Sequence, residues 1–404
     1  MVKRPSSLDR LDPAAKDRID RSLINRYPLF ADMVVRAGKR IPRRVAGYFQ
    51  GGADTERGLA ENVAAFQRIR LLPRYGVDVS KRSTRIELFG QSYSAPIGVA
   101  PVGYTSAIWP GAEQALSIAA ERANLPFITS TFAIEPLENI AKFAPTVAWF
   151  QLYYFQSMET TLNLVARAER AGIKVLVLTI DIPAYSKRTR DHRNGMEFPP
   201  VVTAKLLWEV MQTPTWSVEF LKRPYPLPGN LMPYARNPKG GEQAMRELFA
   251  ATGTQAITWD EIKTIRKAWP GKLVLKGIQH PDDAELALAA GADGVIVSNH
   301  GGRQLDAAPG SIDSLPAVVE RVGSRMTVML DSGVRSGLDV LKAMVRGAQC
   351  CFAGRAFVAA CASAGLAGAP FAMQLFQDEI DTAFGQLGIC GPREVIGDRG
   401  REFH

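Results

Sequence analysis

The sequence predicts a parallel α/β fold in which eight strand–helix units close into a (β/α)8, or TIM, barrel. Three observations carry this. From Ile97 onward, short apolar runs recur, many rich in β-branched residues, each of a length suited to a strand buried on both faces. Amphipathic stretches such as Thr160–Ala171, Asp282–Ala290 and Gly337–Arg346 lie between them, each followed by a glycine that ends a helix. Each apolar run gives way on its C-terminal side to a polar or glycine-rich segment, where a parallel barrel gathers its functional groups. A doubly wound open sheet explains the pattern less well, because it would not place polar ends on every strand.

In chain order, the strand Ile97–Ala100 runs into Pro101-Val102-Gly103-Tyr104, and Pro126–Ile128 runs into Thr129-Ser130-Thr131. Val147–Phe150 leads to Gln151-Leu152-Tyr153, and Val175–Leu178 to Thr179-Ile180-Asp181. Leu273–Leu275 leads to Lys276-Gly277, and Val295–Val297 to Ser298-Asn299-His300-Gly301-Gly302-Arg303. Thr327–Leu330 leads to Asp331-Ser332-Gly333-Val334-Arg335, and Cys350–Ala353 to Gly354-Arg355.

Around this barrel the chain divides into an N-terminal extension, 1–28, the barrel with a helical lead-in, 29–391, and a C-terminal tail, 392–404. In the lead-in, Pro42 opens a helix that stops at Gly51-Gly52, with Tyr48 just before the stop. A long insertion, 199–258, separates the fourth strand from the fifth. It is rich in Pro and Trp, and sets Leu206, Leu207, Trp208, Trp216, Phe220, Leu221 and Tyr225 among Lys205, Lys222 and Arg223. Two readings stand: a lid packed on its own barrel, or shallow attachment to an anionic bilayer.

The chain has 404 residues, 46% hydrophobic and 22% charged, which describes an ordinary protein with a sizeable core. A net charge of +9 suits acidic ligands or an anionic surface, but no nucleic-acid motif accompanies it, and none is expected as a partner. The four cysteines, Cys350, Cys351, Cys361 and Cys390, lack metal-ligand spacing. They read as free thiols in a reducing compartment, and no metal is expected. The polar N-terminus shows no leader pattern, and no apolar run is expected to be long enough to span a bilayer. The expectation is a cytoplasmic chain, or one peripheral on the inner face of the plasma membrane.

Several strand ends carry groups with chemistry. His300 is suited to take a proton, and Arg303 to hold an anion through two parallel hydrogen bonds; a solvated polar loop is the alternative. Arg335 and Arg355, after the last two strands, fall where barrels bind phosphate. Structural ion pairs for either compete with that reading. Lys276 would be a buried cation that needs a partner or an anionic ligand. Asp331 ends the strand next to that of His300, and is expected to orient the imidazole. Arg188 is placed to approach the substrate side or to be solvated, and His192 reads as surface or loop packing.

On these residues the chain resembles the FMN-dependent L-2-hydroxyacid oxidoreductases, which include glycolate oxidases and lactate and mandelate dehydrogenases. The resemblance runs from about Leu29 to Gly391 and rests on SNHGGRQLD at Ser298–Asp306, FQLY at Phe150–Tyr153, LTID at Leu178–Asp181, LKGI at Leu275–Ile278 and the Asp331–Arg335 run. It implies oxidation of a small L-2-hydroxy acid to the 2-oxo acid, with electrons passed to a quinone or to O2. It implies His300 as catalytic base with Asp331 as partner, and Arg303, Arg188, Tyr48 and Tyr153 on the substrate. Lys276 would face the flavin N1–C2 oxygen edge, and Pro101, Val102, Gly103, Ser130, Gln151 and Thr179 would contact the ring or ribityl chain. Ser298, Asp331, Gly333, Arg335, Gly354 and Arg355 would complete the FMN pocket. Val102-Gly103 in place of Thr-Ala, Trp109-Pro110-Gly111, and Asp-Ser-Gly at 331–333 in place of Asp-Gly-Gly look closest to mandelate dehydrogenases. A homotetramer is implied by the family. An O2-using oxidase that makes peroxide, or another FMN barrel such as an isomerase, is the alternative.

Overall fold

A computed structural model describes residues 21–155, 157–196, 203–223, 226–238, 240–241, 243–244, 247, 256–398 and 402–403. The expected extension therefore lies largely outside the described residues, as do Pro199 and Tyr225 of the insertion. Eight parallel strands close a barrel: β1 (Ile97–Val99), β2 (Phe127–Thr129), β3 (Ala148–Tyr153), β4 (Val175–Thr179), β5 (Lys272–Ile278), β6 (Gly294–Val297), β7 (Thr327–Asp331) and β8 (Cys351–Ala353). Each is hydrogen-bonded to its sequence neighbours, and β8 closes onto β1 through the Cys351–Ile97 register. The expected strands are all present. Several run further than their apolar cores, so Gln151, Tyr153, Thr179, Lys276 and Asp331 lie within strands, their directions set by the pleat. Runs such as VLVLT in β4 and GVIV in β6 are buried throughout, as strands covered on both faces must be.

Between β5 and β6 the register shifts at Lys276–Ile278. The cause is Gly277, with φ +103°, where a Cβ would fall 2.5 Å from that of Asp181. Glycine thus lets the segment after β4 lie against β5. The N-terminal end of the barrel is closed by the hairpin Ile86–Leu88/Gln91–Tyr93, whose Phe89-Gly90 turn has two positive φ angles. Phe89 packs 5.8 Å from Trp149, Trp149 packs 5.5 Å from Phe352, and the Trp149 indole donates to the Tyr93 hydroxyl at 3.1 Å.

The lead-in forms helices α1 (Phe30–Arg40), α2 (Arg43–Gln50) and α3 (Arg57–Arg68). Pro42 caps α2 and breaks it from α1. The insertion begins with two helices, α4 (Ala204–Met211) and α5 (Pro214–Leu221). Their inner side packs on the barrel's own elements. Glu209 forms a buried ion pair with Arg44 of α2 at 3.2 Å, and the Trp216 indole donates to the Ile108 carbonyl at 3.0 Å. Their outer side leaves Leu207, Trp208, Met211, Val218 and Leu221 exposed, with exposed Lys205 and Arg223 nearby. Further on, buried Asn230 accepts from the Leu137 amide and donates to the Ser130 carbonyl. The insertion is thus packed on the barrel and apolar outward at once.

After β8, α6 (Arg355–Ala364) and α7 (Gly368–Leu387) form a helical stretch long and apolar enough, by length and composition, to cross a membrane, which corrects the expectation that no apolar run is. Of its most apolar window, 72% is buried within the fold, as in a core helix, with the Phe357 and Phe30 rings both packed at a tilt on Phe376. Cys350, Cys351 and Cys361 are buried free thiols; Cys390 is half-buried. In the tail, Glu402 and Phe403 pair antiparallel with Arg70 and Leu71.

Candidate active site

The C-terminal ends of the strands surround a cavity of ≈480 Å³. Its lining includes Tyr48, Pro101, Val102, Gly103, Ser130, Tyr153, Thr179, Arg188, Lys276, His300, Arg303, Asp331, Gly333, Arg335, Gly354 and Arg355. Sixteen positions from nearly the whole length of the chain therefore converge, as the sequence predicts. Gln151 and Ser298 are not in the lining but stand behind it. Gln151 donates to the Thr179 hydroxyl at 3.0 Å and accepts from that of Ser130 at 3.2 Å, tying the ends of three adjacent strands together. The Ser298 hydroxyl accepts from the Lys276 ammonium at 2.9 Å.

Strand adjacency predicts Asp331 as the partner of His300; the structure puts Asp181 there instead. His300 Nδ1 lies 2.9 Å from Asp181 Oδ1. His300 sits three residues beyond β6 in a left-handed conformation, φ +58°, and its ring reaches the segment after β4 that Gly277 admits. Asp331, inside β7, is committed elsewhere: its Oδ2 pairs with the Lys276 ammonium at 2.9 Å. Both are nearly inaccessible, and a buried ammonium needs such a counter-charge. The visible signal for Asp181 is its place two residues past the fourth strand, within LTID.

Burial pushes the His300 imidazole below its ordinary value, Lys276 and Arg188 add to this, and Asp181 opposes it. Burial would raise the Asp181 carboxyl, but His300 and Lys276 outweigh it and hold it low. A carboxylate only accepts, so Nδ1 carries the hydrogen and Nε2 is left with a lone pair. Nε2 is directed at the cavity side, 3.4 Å from the Tyr153 hydroxyl. This is a neutral base with its reactive nitrogen facing the space where a substrate would sit.

The loop holding His300 is braced from outside the barrel. Asn299 and Asn62 of α3 exchange two amide hydrogen bonds, at 2.8 and 2.9 Å, both side chains buried. Nothing in the sequence marks Asn62. Arg303 Nη1 donates to the carbonyls of Tyr48 and Gly51, at 2.7 and 2.9 Å, and its guanidinium lies 5.0 Å from the Tyr48 ring centre. Arg355 donates to the carbonyls of Phe49, Gly51 and Gly301. Two arginines, one in the loop after β6 and one opening α6, thus hold the C-terminal end of α2. Tyr104, Phe132 and Tyr153 form an aromatic wall, with centroids 6.1 and 5.3 Å apart. His192 is exposed at the rim.

Among the described residues, Arg188, Arg303, Arg335 and Arg355 form no ion pair. Burial and Arg188 push Arg303 down to about 10, and burial with Arg335 and Arg303 takes Arg355 well below its ordinary value. These arginines place positive charge without ion-pair partners among the described residues around one cavity, suited to a ligand carrying a phosphate and a carboxylate beside it. The volume suits a cofactor site.

A family model described as FMN-dependent dehydrogenase matches residues 37–399. The chain is 38% identical over 363 residues to an L-lactate dehydrogenase of Alcaligenes faecalis, covering 90% of this chain and 95% of that one. It is 39% identical over 354 residues to an L-lactate dehydrogenase of Caulobacter sp. (strain K31), covering 87% and 93%. Among solved structures it is similar to a monotopic membrane protein, (S)-mandelate dehydrogenase, with TM-score 0.88, 32% identity and coverage of 93% and 98%. A mandelate oxidase with benzoyl-formic acid superposes with TM-score 0.78, 32% identity and coverage of 92% and 97%.

Proposed function

We propose, since this chain belongs to the FMN-dependent dehydrogenase family, that the groups around its cavity oxidise an L-2-hydroxy acid and pass the electrons to a quinone. It is an FMN-dependent oxidoreductase of 2-hydroxy acids, of the lactate and mandelate dehydrogenase type. The observation that carries the site reading is the neutral His300, held by Asp181 and facing a cavity ringed with arginines.

Arg188 and Arg303 hold the substrate carboxylate, with Tyr48 and Tyr153 beside it. The fixed carboxylate presents the α-carbon to His300 Nε2, which takes a proton from the substrate. Asp181 stabilises the imidazolium that forms. When bound, FMN would supply the two-electron acceptor that this oxidation needs. Arg335, Gly354 and Arg355 would hold its phosphate, and Lys276 would offset negative charge at its ring. Pro101, Val102, Gly103, Ser130 and Thr179, which line the cavity on the β1, β2 and β4 side, would hold its ring. Tyr104 and Phe132 bound the substrate side chain and exclude water.

The quinone reading rests on the outer side of α4 and α5. Trp208, 59% exposed, and Leu221, 82% exposed, are costly in water and suited to the outer layer of an anionic bilayer beside Lys205 and Arg223. The likeness to a structure described as a monotopic membrane protein supports it. The likeness to mandelate oxidases favours O2 as a second reading. Anaerobic addition of lactate, glycolate and mandelate to the yellow protein is expected to bleach it with at least one of them. Reoxidation by a quinone analogue is then compared with peroxide formation in air; dominant peroxide production removes the quinone reading.

A further inference from the structure

We propose that Ser332 is a positioning residue that sets how much of the Lys276 charge reaches the cavity, and so the reduction potential of the bound FMN. This rests on the reading that Lys276 faces the redox-active ring.

Ser332 holds φ +74°, a left-handed conformation that is strained for a non-glycine residue. Glycine would make the same turn without that strain, so the backbone alone does not call for serine. The hydroxyl does. It donates to Asp331 Oδ1 at 2.9 Å and accepts from the Gly301 amide at 2.8 Å. The other oxygen of Asp331 pairs with Lys276, whose ammonium also donates to the Ser298 hydroxyl, which accepts from the His300 amide at 3.0 Å. The result is one continuous network from the ammonium, through Asp331 and Ser332, to the backbone of the loop that carries the base.

The electrostatic consequence has a definite sign. A donor on Oδ1 draws carboxylate charge away from the Lys276 side, and the ammonium is less fully cancelled. A cofactor that gains negative charge on reduction is then easier to reduce. Without the hydroxyl, the full charge of Asp331 falls on Lys276, the cavity becomes less positive, and reduction is harder.

The test equilibrates FMN-loaded Ser332→Gly and Ser332→Ala with a reference dye. Glycine keeps the turn without strain; alanine keeps the Cβ and loses only the hydroxyl. Both are expected to shift the reduction equilibrium about tenfold toward oxidised FMN, near the lower end of what one hydrogen bond to a charged group is worth. A wild-type equilibrium in both variants, whatever happens to their melting temperatures, overturns the proposal. So does a shift in the alanine variant alone, which would assign the effect to backbone strain. Lys276→Met in the same assay separates the underlying reading: an unchanged equilibrium there means that Lys276 does not face the ring, and both fall together.

Discussion

The same eight strands present two ends of very different charge. At the N-terminal end, Asp293 meets Arg266 at 3.1 Å and Lys272 at 2.8 Å, and also accepts from the Leu273 amide. Arg266 Nη2 donates to the carbonyls of Trp269 and Gly271. At the C-terminal end, four arginines without ion pairs among the described residues crowd one cavity; beside burial, Arg188 depresses Arg303, and Arg335 and Arg303 depress Arg355. Both ends enclose space, ≈620 Å³ at the first and ≈480 Å³ at the second. Size therefore does not choose between them. What distinguishes the C-terminal end is that its charges are left for something else to satisfy, a cost that a merely structural site has no reason to carry.

The widest gap between the ends is expected from His300→Gln. FMN should remain bound, while the rate of its reduction by a 2-hydroxy acid falls about 10³-fold, within the range ascribed to general bases. Stopped-flow absorbance gives the answer, and a normal rate would assign the base elsewhere. Asp181→Asn comes next, with a loss of roughly 10²-fold in kcat and little change in KM, because the tautomer loses its anchor while the carboxylate grip is intact. Asp181 raises the imidazole against burial, so its removal also moves the acid limb of kcat/KM to lower pH. In the parent enzyme that limb is already expected below the ordinary histidine value of about 6.5. The stability sign agrees: with the folded imidazole depressed, the unfolded chain binds more protons below about pH 6.5, and His300 costs stability as pH falls through that window. An acid limb that moves upward in the asparagine variant would contradict the assigned contact.

These two residues also mark where the sequence can and cannot be read. The barrel was legible because period and burial are local: VLVLT or GVIV admits few alternatives to a strand buried on both faces. Convergence of the strand-end groups followed from closure, since every C-terminal strand end must face the same mouth. The pairing among them did not follow. Adjacency of β6 and β7 pointed to Asp331, but His300 lies beyond its strand, and a left-handed turn at His300 and a bulge at Gly277 decide which carboxylate it reaches. Such one-residue backbone features have no periodic signature. Asn62 was invisible for a different reason: a polar residue in an amphipathic helix gives no hint that its partner is 237 positions away.

Asp293→Ala probes the balanced end. It removes the acceptor for Leu273 and strands two cations, and should cost about 1–3 kcal/mol of stability. Thermal unfolding should show the loss while kcat and FMN affinity stay unchanged. A fall in kcat matching that of Asp181→Asn would mean that the two ends are not independent.

The smallest effect in solution, and the sharpest for the acceptor, comes from Leu221→Ser. Leu221 is 82% exposed, so in buffer its loss should move stability by less than about 0.5 kcal/mol. If the outer side of α4 and α5 enters a bilayer, the same change removes a leucine side chain from the apolar layer. Burying such a side chain is worth about 1.5–3 kcal/mol, or roughly tenfold or more in partitioning. Cosedimentation with anionic vesicles reads that difference directly. The contrast with Asp293→Ala is the point: one variant should lose stability and keep its vesicle binding, the other the reverse. Unchanged vesicle binding in the Leu221 variant, or no binding by the parent chain, would leave these exposed apolar side chains to another partner and remove the main physical argument for a quinone over O2.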